Sequence, residues 1–250
     1  MITYEYPFNE LVRSLLRLEY LFDRFNYYVE KDDARDMHQA ISIIFDLGEI
    51  TARADLKSSL MKELDRQKHS LELLKNQNRV DQSILDRTIH EMNVIRNKIN
   101  NTIGKPNSLI TDSEWLNAIR TRLSVPGGTS PIDLPSYHAW QFISTATRRA
   151  SLKSYIAPLL PWSEASHIFL RLLRESCQQN NMTAPNGAYQ QMLSGKTYQL
   201  MRIQVEDPSI IPEISANKYM LWVRFMECDG ISKPKSLSKD HEFKMSLCNF

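Results

Sequence analysis

The segment RLSVPGGTSPIDLPSYHAW, residues 122–140, holds the densest group of side chains able to do chemistry. Asp133, Ser136 and His138 are the three residue types of an acyl-transfer triad, in which a base activates the hydroxyl and a carboxylate orients the base. Their spacing argues against that use. Ser136 and His138 lie two residues apart on one short segment, nothing orients the imidazole, and no G-x-S-x-G elbow is present. The structural reading is a Pro-Gly-Gly turn, an Asp cap and a His packed beside Trp140. A phosphate-cradling loop fails as well: VPGGTS offers two glycines and no lysine.

Metal chemistry finds no footing. His38, His69, His90, His138, His167 and His241 are scattered, none forms H-x-x-x-H, and no C-x-x-C accompanies them. Cys177, Cys228 and Cys248 are odd in number and without a pairing signal, which fits a reducing compartment. The arginines are more telling. Arg13 and Arg17 lie near an apolar stripe, with Arg17 between Leu16 and Leu18. Arg202 and Arg224 adjoin Met201, Trp222 and Phe225. Arginine beside aromatic side chains suits a binding face. It equally suits long side chains covering a sheet edge, and both readings stand.

The elements that carry these residues fall into two textures. Leu11, Leu15, Leu18, Phe22 and Phe25 recur at steps of three and four, one buried stripe of a helix started by Pro7 and Asn9. DMHQAISIIFDL reads as a second helix ended by Gly48. Leu56, Leu60, Leu64, Leu71 and Leu74 mark a third. After the polar break NQNRVD, with Asp81 as N-cap, Leu85, Ile89, Met92, Ile95 and Ile99 mark a fourth. The short connector predicts an antiparallel hairpin, and its polar tip is expected to project. Thr111 and Glu114 stand at capping-box spacing before another helix. Residues 138–162 read as helical with interruptions at Pro158 and Pro161, and SEASHIFLRLLRESCQQ as the last helix.

Near residue 181 the pattern changes. Residues 196–206, 217–228 and 240–250 read as strands, with turns at Asn186-Gly187 and Ser194-Gly195. The expectation is an α+β chain. Residues 1–180 form an α-helical domain, with a hairpin over about 52–102 and a junction loop at 124–136. Residues 181–250 form a small, mainly antiparallel sheet domain.

The 250 residues are 42% hydrophobic, enough for a real core. A net charge of +2 is too balanced to point to nucleic acid. The start MITYEYPFNE is no secretory signal, and no apolar run approaches a membrane span. A soluble cytoplasmic protein is expected.

YEYPFNELVRSLLRLEYLFDR, LMKELDRQ, RTRLSVPGGTSPIDLPSYHAW and ANKYMLWVRFMECD occur in that order along the chain. Together they resemble the ZapD family of bacterial cell-division proteins. The resemblance implies a helical domain followed by a smaller strand domain, and a homodimer without catalytic activity, cofactor, metal or small-molecule substrate. It implies a partner, FtsZ, bound chiefly through its C-terminal tail, with filaments bundled and the division ring stabilised at midcell. It also implies a basic surface built partly from Arg17, Arg120, Arg122 and His138. Lys218 and Arg224 in the strand domain, with Lys57, complete the expected partner-binding set. Two rivals are a nucleic-acid binder using the Arg- and aromatic-bearing sheet, and a hydrolase using Asp133, Ser136 and His138.

Overall fold

A computed structural model describes residues 1–75, 81–102 and 104–250. The chain is α+β. In order it forms β1 (Ile2–Pro7), α1 (Glu10–Val29), α2 (Ala34–Thr51), α3 (Ala54–Glu72) and α4 (Gln82–Asn100). The short helices α5 (Ser108–Thr111), α6 (Glu114–Leu123) and α7 (Pro135–Gln141) follow, then α8 (Thr145–Ile156) and α9 (Leu160–Glu175). The strands are β2 (Asn180–Ala184), β3 (Ala188–Met192), β4 (Leu200–Val205), β5 (Ile210–Ala216), β6 (Met220–Glu227), β7 (Lys235–Ser236) and β8 (His241–Cys248). Contacts divide the chain into two compact units: Met1–Arg13 with Phe169–Phe250, and Ser14–Ile168. No described helix is long and apolar enough to cross a membrane.

In the helical unit, apolar periodicity decides the buried faces. Leu15, Leu18, Phe22 and Phe25 of α1 are buried and Leu11 is half-buried. Arg17 points to solvent, because two positions on a helix are turned about 200° apart and its neighbours at 15 and 18 take the core side. Asn9 Oδ1 accepts the Val12 N–H at 2.8 Å and starts the helix.

Gly48 does not end α2. It lies buried inside a helix that runs to Thr51, where a Cβ would meet the Ile110 Cδ1 at 3.2 Å. The glycine admits the α5 side chain instead of breaking the helix. The hairpin of α3 and α4 is antiparallel, stapled by Arg96 to Asp65 at 2.7 Å and by Lys75 to Asp86 at 3.4 Å. All five apolar residues expected of α4 are buried, and Asp81 caps it through the Ser83 and Ile84 N–H groups. The tip, residues 76–80, lies outside the described residues, and so does the projection expected of it.

Three local expectations are corrected. The cap of α6 is Ser113, whose Oγ accepts the Leu116 N–H at 3.2 Å; Thr111 closes α5 instead. The helical run after residue 138 breaks first at 142–144, where Ser144 caps α8 through the Thr147 N–H. Pro158 sits in a 3₁₀ turn, Ala157–Leu159, and Pro161 in the first turn of α9, where a missing N–H costs nothing. Arg148, 6% exposed, is a buried cation of this unit. It donates to the Asp32 and Gln141 carbonyls and to Thr145 Oγ1. Arg149 beside it donates to the Val29 and Glu30 carbonyls, satisfying the end of α1.

In the strand unit, one sheet has the order β1-β4-β8-β2 and the other β3-β6-β5, with β7 also on β6; every pairing is antiparallel. The two sheets share one core, built from Met201, Ile203, Phe243 and Met245 on one side and Leu221, Val223 and Phe225 on the other. The β2–β3 turn uses Asn186 (φ 48°) and Gly187 (φ 72°), where the Leu237 carbonyl oxygen would stand 2.5 Å from an added Cβ. Cys177 and Cys248, expected to be unpaired, form a disulfide with Cα atoms 4.7 Å apart, and Cys228 is free. Their separation of 71 residues hid the pairing, which the antiparallel return of β8 creates. The inference of a reducing compartment loses the support it drew from unpaired cysteines.

Candidate partner-binding surface

The outward face of the smaller sheet, β3-β6-β5, forms a concavity. Alternation along β6 buries Leu221, Val223 and Phe225 and turns Trp222 and Arg224 outward. The register then fixes their neighbours. Arg224 stands between Ala188 on β3 and Glu213 on β5, and Trp222 between Gln190 and Ser215. Small side chains at 188 and 215 leave an open groove of about 820 Å³ beside the indole and the guanidinium. Arg224 has no ion-pair partner among the described residues, although Glu213 faces it across the ladder. Lys218, just ahead of β6, is exposed, with its ammonium 5.8 Å from the Tyr219 ring centroid. An unneutralised guanidinium beside an indole 38% exposed can grip a carboxylate and an apolar side chain together.

The helical-unit candidates differ in how far their charge is already used. Arg120 binds Glu49 and lies 5.9 Å from the Phe45 ring centroid. Arg122 pairs with Asp133 at 3.7 Å. Both stand on α6. His138, on α7, packs edge-on against Phe142 at 5.0 Å, while Trp140 stacks on Tyr137. Arg17 on α1 and Lys57 on α3 have no ion-pair partner among the described residues. Arg120 and Arg122 share α6 but bind different acids, His138 stands on α7, and Arg17 and Lys57 stand on elements of their own.

The other arginines singled out are occupied. Arg13 pairs with Glu10 at 3.4 Å. Arg202 meets Glu5 of β1 at 3.0 Å, and the same carboxylate takes Arg174 at 2.7 and 2.9 Å. Sequence reasoning could not find this cluster, because β1 pairs with β4 across nearly the whole chain.

The hydrolase constellation does not assemble. Asp133 takes the Ser130 hydroxyl at 3.1 Å and the Arg122 guanidinium, and it caps nothing. Ser136 and His138, two apart on α7, point about 200° away from each other. His38, by contrast, is held: its Nδ1 lies 2.7 Å from the Tyr137 hydroxyl, and burial pushes its pKa down. Among the described residues no three His, Cys, Asp or Glu side chains converge to hold a metal ion.

The sequence pattern of ZapD, described as a cell division protein, matches residues 16–224. The chain belongs to the ZapD family. Relatives agree over full length. A cell division protein ZapD of Ralstonia nicotianae is 48% identical over 252 aligned positions, with all of both chains covered. Those of Ralstonia pickettii and Cupriavidus necator are each 47% identical with the same coverage. The span matched by the ZapD pattern takes in every expected partner-binding residue, from Arg17 to Arg224, and stops before β7 and β8.

Proposed function

We propose that this chain is a non-catalytic adaptor of bacterial division. In this reading it binds the C-terminal tail of FtsZ and, as a homodimer in the cytoplasm, holds two filaments at once and bundles them at midcell. Full-length similarity to cell division proteins ZapD supports the division role. The observation that carries the binding mode is the groove on the smaller sheet, where Arg224 is unneutralised beside exposed Trp222. A flexible tail with acidic and apolar side chains would be steered by Arg224, Lys218, Arg17 and Lys57 and anchored on the indole. Arg120, Arg122 and His138 would add a basic margin. Individual contacts can be weak, because a filament presents many tails and a dimer binds two of them at high effective concentration.

The test is titration of a labelled FtsZ tail peptide against the wild-type chain, Arg224→Ala and Arg224→Glu. The alanine variant is expected to weaken binding by roughly tenfold and the glutamate variant by more, with the dimer intact by sedimentation. Equal binding by all three would remove the sheet groove from the account.

A further inference from the structure

The exposed face of α1 carries a surface of which the expected binding set names only Arg17. Arg17, Tyr20, Arg24, Tyr27 and Lys31 follow at steps of three, four, three and four. Tyr20 and Tyr27 are 58% and 59% exposed, and Arg17 is exposed with them. By helical geometry this row lies opposite Leu18, Phe22, Phe25 and Val29, which are buried. The acids Glu19 and Asp23 fall on one flank, between the row and the buried stripe, so the row itself bears no carboxylate.

Its cations are held by neutral groups. Arg24 donates to the Tyr20 hydroxyl at 2.8 Å and to the Tyr28 hydroxyl at 3.4 Å. The Lys31 ammonium sits 4.2 Å from the Tyr27 ring centroid. Among the described residues none of Arg17, Arg24 and Lys31 has an ion-pair partner. The positive charge is thus positioned but not neutralised.

We propose that this row docks an acidic α-helical segment of another protein. Alternating three- and four-residue steps set Arg17, Tyr20, Arg24 and Tyr27 on one straight seam of α1, the spacing with which a second helix makes contact, and Lys31, just past the helix end, joins it through its contact with the Tyr27 ring. From Arg17 to Tyr27 the seam spans about 15 Å at 1.5 Å per residue, or nearly three helical turns. Arginine and tyrosine are the residue types that dominate binding energy at interfaces. With no carboxylate on the row, charge complementarity requires the partner to supply them. The surface is the convex side of a helix and lacks the groove that tracks single-stranded nucleic acid. The inference shares Arg17 with the tail-binding reading and otherwise goes beyond it, since Tyr20, Arg24, Tyr27 and Lys31 belong to no part of that reading.

The experiment uses the full chain and fluorescence anisotropy with three probes. One is an alanine-based helical peptide with Glu at three- and four-residue steps along one face. The others are the same peptide with Gln in place of Glu, and a thymidine 20-mer. The Glu peptide is expected to bind on the order of tenfold more tightly than the Gln peptide. Arg24→Gln with Lys31→Gln, and separately Tyr20→Ala with Tyr27→Ala, are each expected to cost on the order of tenfold at an unchanged melting temperature. Arg224→Glu is expected to leave this binding as it was, which separates the α1 surface from the sheet groove. Equal binding of Glu and Gln peptides, insensitivity to the α1 substitutions, or preference for the oligonucleotide through the same residues would each overturn the proposal.

Discussion

Gln67 lies fully buried on α3, three residues after Leu64 and four before Leu71, in the same apolar stripe. Neither its Oε1 nor its Nε2 has a hydrogen-bond partner among the described residues. Burying an amide without a partner costs about 1–3 kcal/mol in mutational data. Methionine has the same unbranched length, fits irregular gaps and has no strong donor or acceptor to satisfy. Gln67→Met should therefore raise stability by about 1–3 kcal/mol, reduced by up to ~1 kcal/mol if the thioether packs imperfectly. For a chain of this size each 1 kcal/mol moves the melting temperature by about 2–4 °C. Urea unfolding followed by helix circular dichroism measures the change as a shift in midpoint at constant slope. Gln67→Ala, which removes the amide but leaves a cavity, should fall below Gln67→Met. If Gln67→Met lowers the midpoint, the amide has a stabilising partner, and the assignment of this stripe as a dry apolar seam is wrong.

Arg148→Met should destabilise the chain by about 1–3 kcal/mol, because it leaves the Asp32 and Gln141 carbonyls without their donor; chemical denaturation of the variant reads this directly, and no loss of stability would contradict it. The His38 pKa is lowered by burial from its ordinary 6.5, so the unfolded chain takes up the proton first. The stability that His38 contributes is then complete above about pH 6.5 and is lost as pH falls through its lower folded value. Melting temperatures from pH 7.5 to 5 should fall less steeply in His38→Gln than in the wild type, and parallel profiles would sink the assignment.

The legible parts of the fold were those in which one segment carries its own signal. The α4 stripe, the Asp81 cap and the alternation along β6 are set by neighbours within a few residues, and each is legible from spacing alone. What was missed depends on distant partners. β1 carries no strand signal of its own, and only the pairing with β4, where Glu5 meets Arg174 and Arg202, places it in the sheet. β5 contains Pro212, which counts against a strand, but β5 pairs on one side only, and an edge strand tolerates a missing N–H. Gly48 looked like a stop because the sequence does not show Ile110 lying over it. At the candidate surface the sequence supplied the residue types, while the structure sorted their charges. Arg120 and Arg122 are neutralised by Glu49, 71 residues away, and by Asp133, whereas Arg17, Lys57, Lys218 and Arg224 have no such partner among the described residues. That distinction is one of tertiary placement, and no local pattern encodes it.

In the proposed function this chain bridges FtsZ filaments through their tails. Co-sedimentation with GTP-polymerised FtsZ, full-length and lacking the C-terminal tail, tests it most directly. The chain should pellet with full-length filaments, increase their bundling, and stay in the supernatant with the tailless ones. Pelleting with both forms, or with neither, would contradict it.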